Sequence, residues 1–239
     1  MIIPAAGLGT RMSSAPSTRR KKGTPSKQFA ELGGTPILIH TLRKFAAVSA
    51  VEEIWVALRP EEIPNFRARL EKDGKDILQK KVQFVEGGEH RQQSVANALA
   101  AISAAEKDVV LVHDAVRPFV TQEIISEVIS AAGKYGAAIA GLPAVDTVKQ
   151  VDRTAEGALI KATIPRERIV MAQTPQGFLY ALLKGAFDEA ARDGFNGTDE
   201  ASLVERAGHP VAVVMGSAKN IKITTPADLE LAEFYLRAS

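Results

Sequence analysis

Two turns in this sequence set positive charge and backbone N–H groups where they could do chemistry. The first is Pro4-Ala5-Ala6-Gly7-Leu8-Gly9-Thr10-Arg11-Met12. Ile2 and Ile3 read as the end of a strand, Pro4 is expected to stop its ladder, and small residues then let a ligand approach the backbone. Consecutive N–H groups in such a turn form an anion-binding concavity, to which Arg11 adds a fixed positive charge. A glycine-rich strand-to-helix turn with no ligand accounts for the same residues. The second turn follows Val109-Val110-Leu111-Val112, where His113, Asp114 and Arg117 come at the tip of a uniformly apolar strand. Such a strand suits a buried parallel sheet, and ligands of open α/β sheets bind at its carboxyl end. An Asp–Arg salt bridge is the structural alternative. His113 reads equally as a hydrogen-bonded core residue, and no catalytic role is assigned to it.

These turns need a scaffold. The chain has 239 residues, 46% of them apolar, enough for one large α/β domain with a substantial core. Its 30 basic and 28 acidic residues leave a net charge of +2, too small to argue for a nucleic-acid partner. With no cysteine, disulfides, zinc–thiolate sites and thiol nucleophiles are excluded. No stretch reads as a signal peptide or a membrane span, so a soluble, cytoplasmic protein is expected. Glu53–Leu58 and Val82–Val85 read as strands, with helices over Pro36–Val48 and through Phe66 and Leu70. This β-α-β-α alternation predicts a single Rossmann-like domain, with a largely parallel, helix-covered sheet. Only Met1, Ile2 and Ile3 precede Pro4, so either the first strand is short or the natural start lies upstream. Ser13 to Thr24, with Pro16, Gly23 and the run Arg19-Arg20-Lys21-Lys22, is expected to be a mobile loop.

After a strand over Ala137–Leu142 the doubly wound pattern lapses. Pro143 to Val151 alternates, the chain turns at Glu156-Gly157, and it returns toward Ile164-Pro165-Arg166. A two-stranded arm of this kind, approximately residues 143–170 and inserted in the domain, is marginal alone and predicts a homodimer. Phe178–Ala191 reads as a helix, Gly197-Thr198-Asp199-Glu200-Ala201-Ser202 as the cap of the next, and Val211–Met215 as a strand. In Asn220-Ile221-Lys222-Ile223-Thr224 the lysine could point outward from an alternating strand.

Pro-Ala-Ala-Gly-x-Gly-x-Arg-Met from Pro4, with Lys27 in Pro25-Ser26-Lys27-Gln28, resembles the nucleotidyltransferases that join a polyol phosphate to a nucleoside monophosphate. Within them the sequence is most similar to the 2-C-methyl-D-erythritol 4-phosphate cytidylyltransferase family of non-mevalonate isoprenoid synthesis. The likeness runs nearly end to end. It includes Gly87-Gly88-Glu89-His90-Arg91-Gln92-Gln93-Ser94-Val95, His113-Asp114-Ala115-Val116-Arg117-Pro118, Asp146-Thr147, Thr174-Pro175-Gln176, Thr198-Asp199-Glu200-Ala201-Ser202 and Asn220-Ile221-Lys222-Ile223-Thr224. The spacing from Arg11 to Lys27 is longer than the family usually has, and Lys219 stands where an acidic residue is common.

The resemblance implies CTP and methylerythritol phosphate as substrates and Mg²⁺ as cofactor. It places CTP against Pro4, Ala5, Ala6, Gly7, Gly9, Gly88, Glu89, Ser94 and Ala115. Arg11 and Lys27 become transition-state stabilisers, while Arg166 and Lys222 hold the incoming phosphate. Asp114, Arg117, Thr147, Thr174 and Thr198 complete that pocket, and Asp114 is the one candidate metal ligand, the ion being held mainly by phosphate. The arm would interlock with that of a second copy. Ribitol-5-phosphate cytidylyltransferases share the lysine and the His-Asp-x-x-Arg-Pro element, but tend to Ala-Gly-Gly where this chain has Pro4-Ala5-Ala6-Gly7. A dinucleotide-binding oxidoreductase is disfavoured by Met12 in place of a third glycine. A non-catalytic nucleotide sensor would be expected to lack Arg11, Lys27, Arg166 and Lys222, all of which are present.

Overall fold

The computed structural model describes residues 1–7 and 27–238. Gly9, Arg11 and the basic loop from Ser13 to Thr24 lie outside the described residues. In chain order, β1 (Ile2–Pro4) leads to the first turn, and a small hairpin of β2 (Glu31–Leu32) and β3 (Thr35–Pro36) precedes α1 (Ile37–Ala46). Then come β4 (Glu53–Leu58), α2 (Ile63–Asp73), β5 (Lys81–Glu86), α3 (Arg91–Ala101), β6 (Val109–Val112), α4 (Gln122–Tyr135) and β7 (Ala137–Pro143). The arm is β8 (Val148–Thr154) and β9 (Gly157–Ile164), followed by β10 (Val170–Leu179), α5 (Tyr180–Arg192), α6 (Glu200–Arg206), β11 (Ala212–Met215) and α7 (Pro226–Arg237).

Seven strands form the main sheet in the order β11-β7-β10-β6-β1-β4-β5. It is parallel except for β10, which runs antiparallel to both β6 and β7. The chain winds outward from β1 through β4 to β5, then crosses to β6 on the other side. This reversal opens a crevice above the carboxyl ends of β1 and β6, where ligands of such sheets bind.

Alternation along the strands builds a core on each face. Ile3, Ile54, Val56, Leu58 and Leu111 pack with Leu38, Leu42 and Phe45 of α1 and Ile125 and Val128 of α4. Ile2, Val110, Val112 and Phe178 face the other way, toward Val95 and Leu99 of α3, Leu183 and Phe187 of α5 and Val204 of α6. Strands buried on both faces need apolar residues at every position, which is why β6 reads as an unbroken hydrophobic run. A third cluster, with Leu32, Ile37, Val116, Ile223 and Ala232, seats α7 near the carboxyl ends of the strands.

Two sequence expectations change, and the strand alternative for residues 220–224 does not hold. Pro4 does not end β1: it pairs with Ala57 in register, and the Ala5 N–H continues the ladder to the Ala57 carbonyl. The missing N–H of Pro4 faces the β6 side, where pairing has ended at Ile2 and Val112, so proline costs no bond there. Phe178 belongs to β10 and not to the following helix, which starts at Tyr180. Residues 220–224 form no strand but an irregular segment. The central position of β10 explains why it is hard to read: Pro175 cannot donate to a ladder, and the pairing with β7 shifts register between Ala172 and Gln176. Gly177 lets α4 lie close, since a Cβ there would sit 2.9 Å from Val128 Cγ1.

The arm matches its expected course. β8 and β9 pair antiparallel from Val148↔Ile164 to Thr154↔Gly157, and Leu159 and Ile160 are exposed on it.

Candidate active site

The crevice at the carboxyl ends holds a cavity of about 210 Å³ among the described residues. Its wall brings together eleven of the expected residues: Pro4, Ala5, Ala6, Gly7, Lys27, Gly88, Glu89, Ser94, Asp114, Ala115 and Lys222. Gln28, His90, Arg91 and Val116 line it as well.

Each part of the wall has a local cause. The turn after β1 is held by Gln28, whose Nε2 donates to the Ala5 carbonyl from the one-turn helix Lys27–Phe29; this contact brings Lys27 to the cleft. The loop after β5 lies tight against the first turn. The Gly87 N–H donates to the Leu58 carbonyl, and a Cβ on Gly87 would come within 2.3 Å of Ala6 Cβ. Only glycine permits that approach. Ser94 closes this loop from within: its Oγ accepts from the Gly88 N–H at 3.0 Å and donates to the His90 carbonyl at 3.2 Å.

At the tip of β6, Asp114 is the centre of a cluster of cations. Lys222 Nζ lies 2.8 Å from its Oδ2, with Arg117 Nε at 3.4 Å from the same oxygen and Arg91 Nε at 3.3 Å from Oδ1. Burial alone would raise the Asp114 carboxyl, but Arg91, Lys222 and Arg117 outweigh it and hold the group well below the usual carboxylate range. Lys222 reaches this place because its segment is pinned on both sides. Arg117 Nη1 donates to the Asn220 carbonyl at 2.6 Å, Asn220 Nδ2 donates to the Thr174 carbonyl at 2.9 Å, and the Ile223 N–H donates to the Val116 carbonyl at 3.0 Å. The Asp–Arg salt bridge and the candidate site are therefore one structure.

His113 is a core residue. It is fully buried against Phe45, and its Nε2 bonds the Arg117 carbonyl at 3.0 Å while Nδ1 faces Thr174 Oγ1 at 3.1 Å. Burial lowers its pKa to about 4, so it is neutral near pH 7. Thr174 also stands behind the cleft wall. Its hydroxyl accepts from the Asp114 N–H at 3.0 Å, so it fixes the Asp114 turn from inside.

Other expected residues lie apart from this wall. Thr147 and Arg166 are exposed at the base of the arm, where Arg166 Nη1 donates to the Val145 carbonyl at 2.7 Å. Thr198 is exposed just before α6, one residue ahead of the capping Asp199. Two charged residues had no role assigned from sequence, Arg91 and Glu200. Arg91 Nη1 contacts Glu200 Oε1 at 2.6 Å, and that glutamate is almost wholly buried. Both stand inside the motifs Gly-Gly-x-x-Arg and Thr-Asp-Glu-Ala-Ser, so the signal for them was their motif membership.

Among the described residues no group of three or more His, Asp or Glu side chains is arranged to hold a metal ion. Both oxygens of Asp114 are already engaged by Arg91, Lys222 and Arg117, so an ion in the cleft would be carried mainly by phosphate and water oxygens.

The whole chain can be compared with known proteins. Residues 1–238 match the family described as IspD, 2-C-methyl-D-erythritol 4-phosphate cytidylyltransferase. A protein of that name from Acidobacterium capsulatum is 60% identical over 237 residues, 99% of this chain and 96% of the relative. Another from Solibacter usitatus is 52% identical, over 99% and 95%. The crystal structure of the Thermus thermophilus cytidylyltransferase superposes with a TM-score of 0.74 at 37% identity, covering 99% of this chain and 97% of that one. A 4-diphosphocytidyl-2C-methyl-D-erythritol synthase from Anaerococcus prevotii gives 0.81 at 29% identity, over 99% and 94%. With eleven of the expected residues lining one cleft and its full length matched, the chain belongs to the 2-C-methyl-D-erythritol 4-phosphate cytidylyltransferase family.

Proposed function

We propose that the protein transfers CMP from CTP to 2-C-methyl-D-erythritol 4-phosphate. The products are 4-diphosphocytidyl-2-C-methyl-D-erythritol and pyrophosphate, a step of non-mevalonate isoprenoid precursor synthesis. The observation that carries this reading is the cleft where Lys27 and Lys222 meet the Pro4–Gly7 backbone turn at the carboxyl end of β1. Cytosine and ribose would lie against Gly88, Glu89 and Ala115, beside the loop that Ser94 closes. The triphosphate would run toward Pro4–Gly7 and Lys27.

The nucleophile needs little activation. A phosphate monoester has a second pKa near 6 and is mostly dianionic at pH 7, so no general base is called for. One of its oxygens bonds to the α-phosphorus, the bond to the bridging oxygen breaks, and pyrophosphate leaves with that electron pair. Negative charge gathers around the α-phosphorus, and fixed cations stabilise it more than they stabilise the ground state. Lys27 takes this role with Arg11. Lys222, anchored by Asp114, holds the incoming phosphate in line, and Arg117 and Thr174 keep Asp114 in place from behind. Mg²⁺, held mainly by phosphate, would neutralise triphosphate charge; Asp114, the one candidate protein ligand, would join it only by releasing one of its cations.

Arg166, Thr147 and Thr198 would complete the polyol phosphate pocket across a homodimer. Leu159 and Ile160 on the arm are 68% and 66% exposed, large apolar side chains on a two-stranded sheet that is marginal alone. A second copy would cover them and bring its own Arg166 and Thr147 to this cleft. The enzyme would work in the cytoplasm, where nucleoside triphosphates are held, without nucleic acid or membrane as partner. None of the described helices is long and apolar enough to cross a membrane.

The test is pyrophosphate release with CTP, Mg²⁺ and either methylerythritol 4-phosphate or ribitol 5-phosphate. Release with the first and little with the second is expected. Preference for ribitol 5-phosphate, or no release with either, contradicts the reading.

A further inference from the structure

Arg91 and Glu200 form a pair that the reaction as described does not use. Arg91 is the first residue of α3 and lines the cleft. Its guanidinium is gripped from two directions: Nη1 by Glu200 Oε1 at 2.6 Å and Nε by Asp114 Oδ1 at 3.3 Å. Two carboxylates on different elements thus fix the plane of the fork. Among the described residues its remaining donors are uncommitted, in a wall that also holds Lys27 and Lys222.

Glu200 is an expensive residue to keep here. Its side chain is 2% exposed, and its second oxygen, Oε2, has no hydrogen-bond partner among the described residues. A buried carboxylate short of partners costs stability, and an apolar residue on this first turn of α6 would avoid that cost. The surroundings nevertheless hold it firmly. Asp199 and Ser202 form a capping box around it, and Gln176 ties the start of α6 to β10 through Asp199 Oδ2 at 2.7 Å and the Ala201 N–H at 3.1 Å. Burial pushes the Glu200 carboxyl above its ordinary value, against the pull of Arg91. Both carboxylates raise the already high pKa of Arg91, so its charge is permanent.

We infer that Arg91 is a further phosphate-binding residue of the cleft, donating its remaining Nη hydrogens to the triphosphate, and that Glu200 is the positioning residue that aims it. A planar guanidinium already held at Nε and Nη1 presents its remaining Nη donors to phosphate oxygens with little further loss of rotamer freedom on binding. Lysine at position 91 would keep the charge but lose the fork.

The inference rests on the proposed cytidylyl transfer for the identity of the ligand, and its test separates the two. Binding of Mg²⁺–CTP is measured by calorimetry for the wild type, Arg91→Lys, Glu200→Gln and the double variant, with thermal unfolding of each as a control. Arg91→Lys is expected to weaken CTP roughly tenfold or more, the scale of a lost charge-assisted hydrogen bond. For Glu200→Gln the sign decides. Removing a negative charge beside the cleft should by itself tighten an anion, whereas loss of aim should weaken it; severalfold weaker binding is expected. The double variant should bind about as Arg91→Lys does, because Glu200 acts through Arg91. Wild-type affinity in Arg91→Lys, or equal or tighter binding in a folded Glu200→Gln protein, overturns the inference alone. If Glu200→Gln does not fold, Arg91→Lys decides by itself. A wild type that binds no CTP contradicts both the inference and the functional reading.

Discussion

At the scale of single residues, His113 shows how a motif can contain a residue that never meets the ligand. It is buried, neutral and bonded at both ring nitrogens, to Thr174 and to the Arg117 carbonyl. Its pKa falls from 6.5 to about 4 in the folded chain. Between those values the unfolded chain binds more protons, so stability rises with pH and is lost as pH falls from 6.5 toward 4. The loss amounts to about 3 kcal/mol from this one group. His40, whose pKa burial also lowers, acts in the same direction. Asp114 acts below this window: its depressed pKa favours folding in full above the unfolded value of 3.8, and that contribution is lost as pH falls below 3.8 toward the lowered value of the folded chain. Urea unfolding of the wild type at pH 7 and pH 5 should show the decline, and His113→Asn should lose much of it. An equal decline in both proteins contradicts the role given to His113. From sequence His113 read equally well as a core residue, because an imidazole at a strand tip has no spacing that distinguishes the two. Asp114 and Arg117 were legible as a pair, and Lys222 as a residue of the same pocket through the family resemblance, but not Arg91, which comes from a distant element with no role of its own assigned.

At the scale of elements, the site depends on a segment with no regular structure. Residues 217–223 place Lys222 over Asp114 through Asn220, which is fully buried and bonded to β10 and to Arg117. Replacing Asn220 by alanine removes the donor that holds Gln173 Oε1 and the Thr174 carbonyl. The expected cost is about 1–3 kcal/mol of stability. It should come with a fall in kcat/KM as large as that of Lys222→Ala, although residue 220 does not line the cleft. Steady-state kinetics of both variants beside denaturant unfolding would check this; a destabilised Asn220→Ala with wild-type kcat/KM contradicts it. Long periodic or uniformly apolar segments, β4, β6 and α1 among them, were readable because burial on one or two faces leaves its mark at every position. The strand β10 was not, since Pro175 in a central strand contradicts the usual pattern and only a register shift accommodates it. The helix α7 had its signals in the capping box Thr225 and Asp228 with Pro226 in the first turn, and it was not anticipated.

At the scale of the whole molecule, the domain builds one cleft from its own strands and leaves Thr147, Arg166 and Thr198 outside that wall. The proposed site shared across a homodimer would account for the exposed arm. Mixing inactive Arg166→Ala and Lys27→Ala subunits should then restore activity, since random exchange gives heterodimers with one intact site, roughly a quarter of wild-type activity at most. No recovery after exchange has been verified by labelled subunits would contradict a shared site. The arm was legible as two alternating runs around Glu156-Gly157; its partner surface was not, because burial between chains leaves no pattern within one. The central claim is that the cleft over β1 and β6 stabilises charge at the α-phosphorus. Its most direct test is single-turnover kinetics of Lys27→Ala with saturating Mg²⁺–CTP and methylerythritol 4-phosphate, alongside equilibrium binding of CTP. Removal of one such stabiliser should slow the chemical step by roughly 10²-fold or more while CTP affinity changes far less. An unchanged rate of pyrophosphate formation in Lys27→Ala would contradict the account.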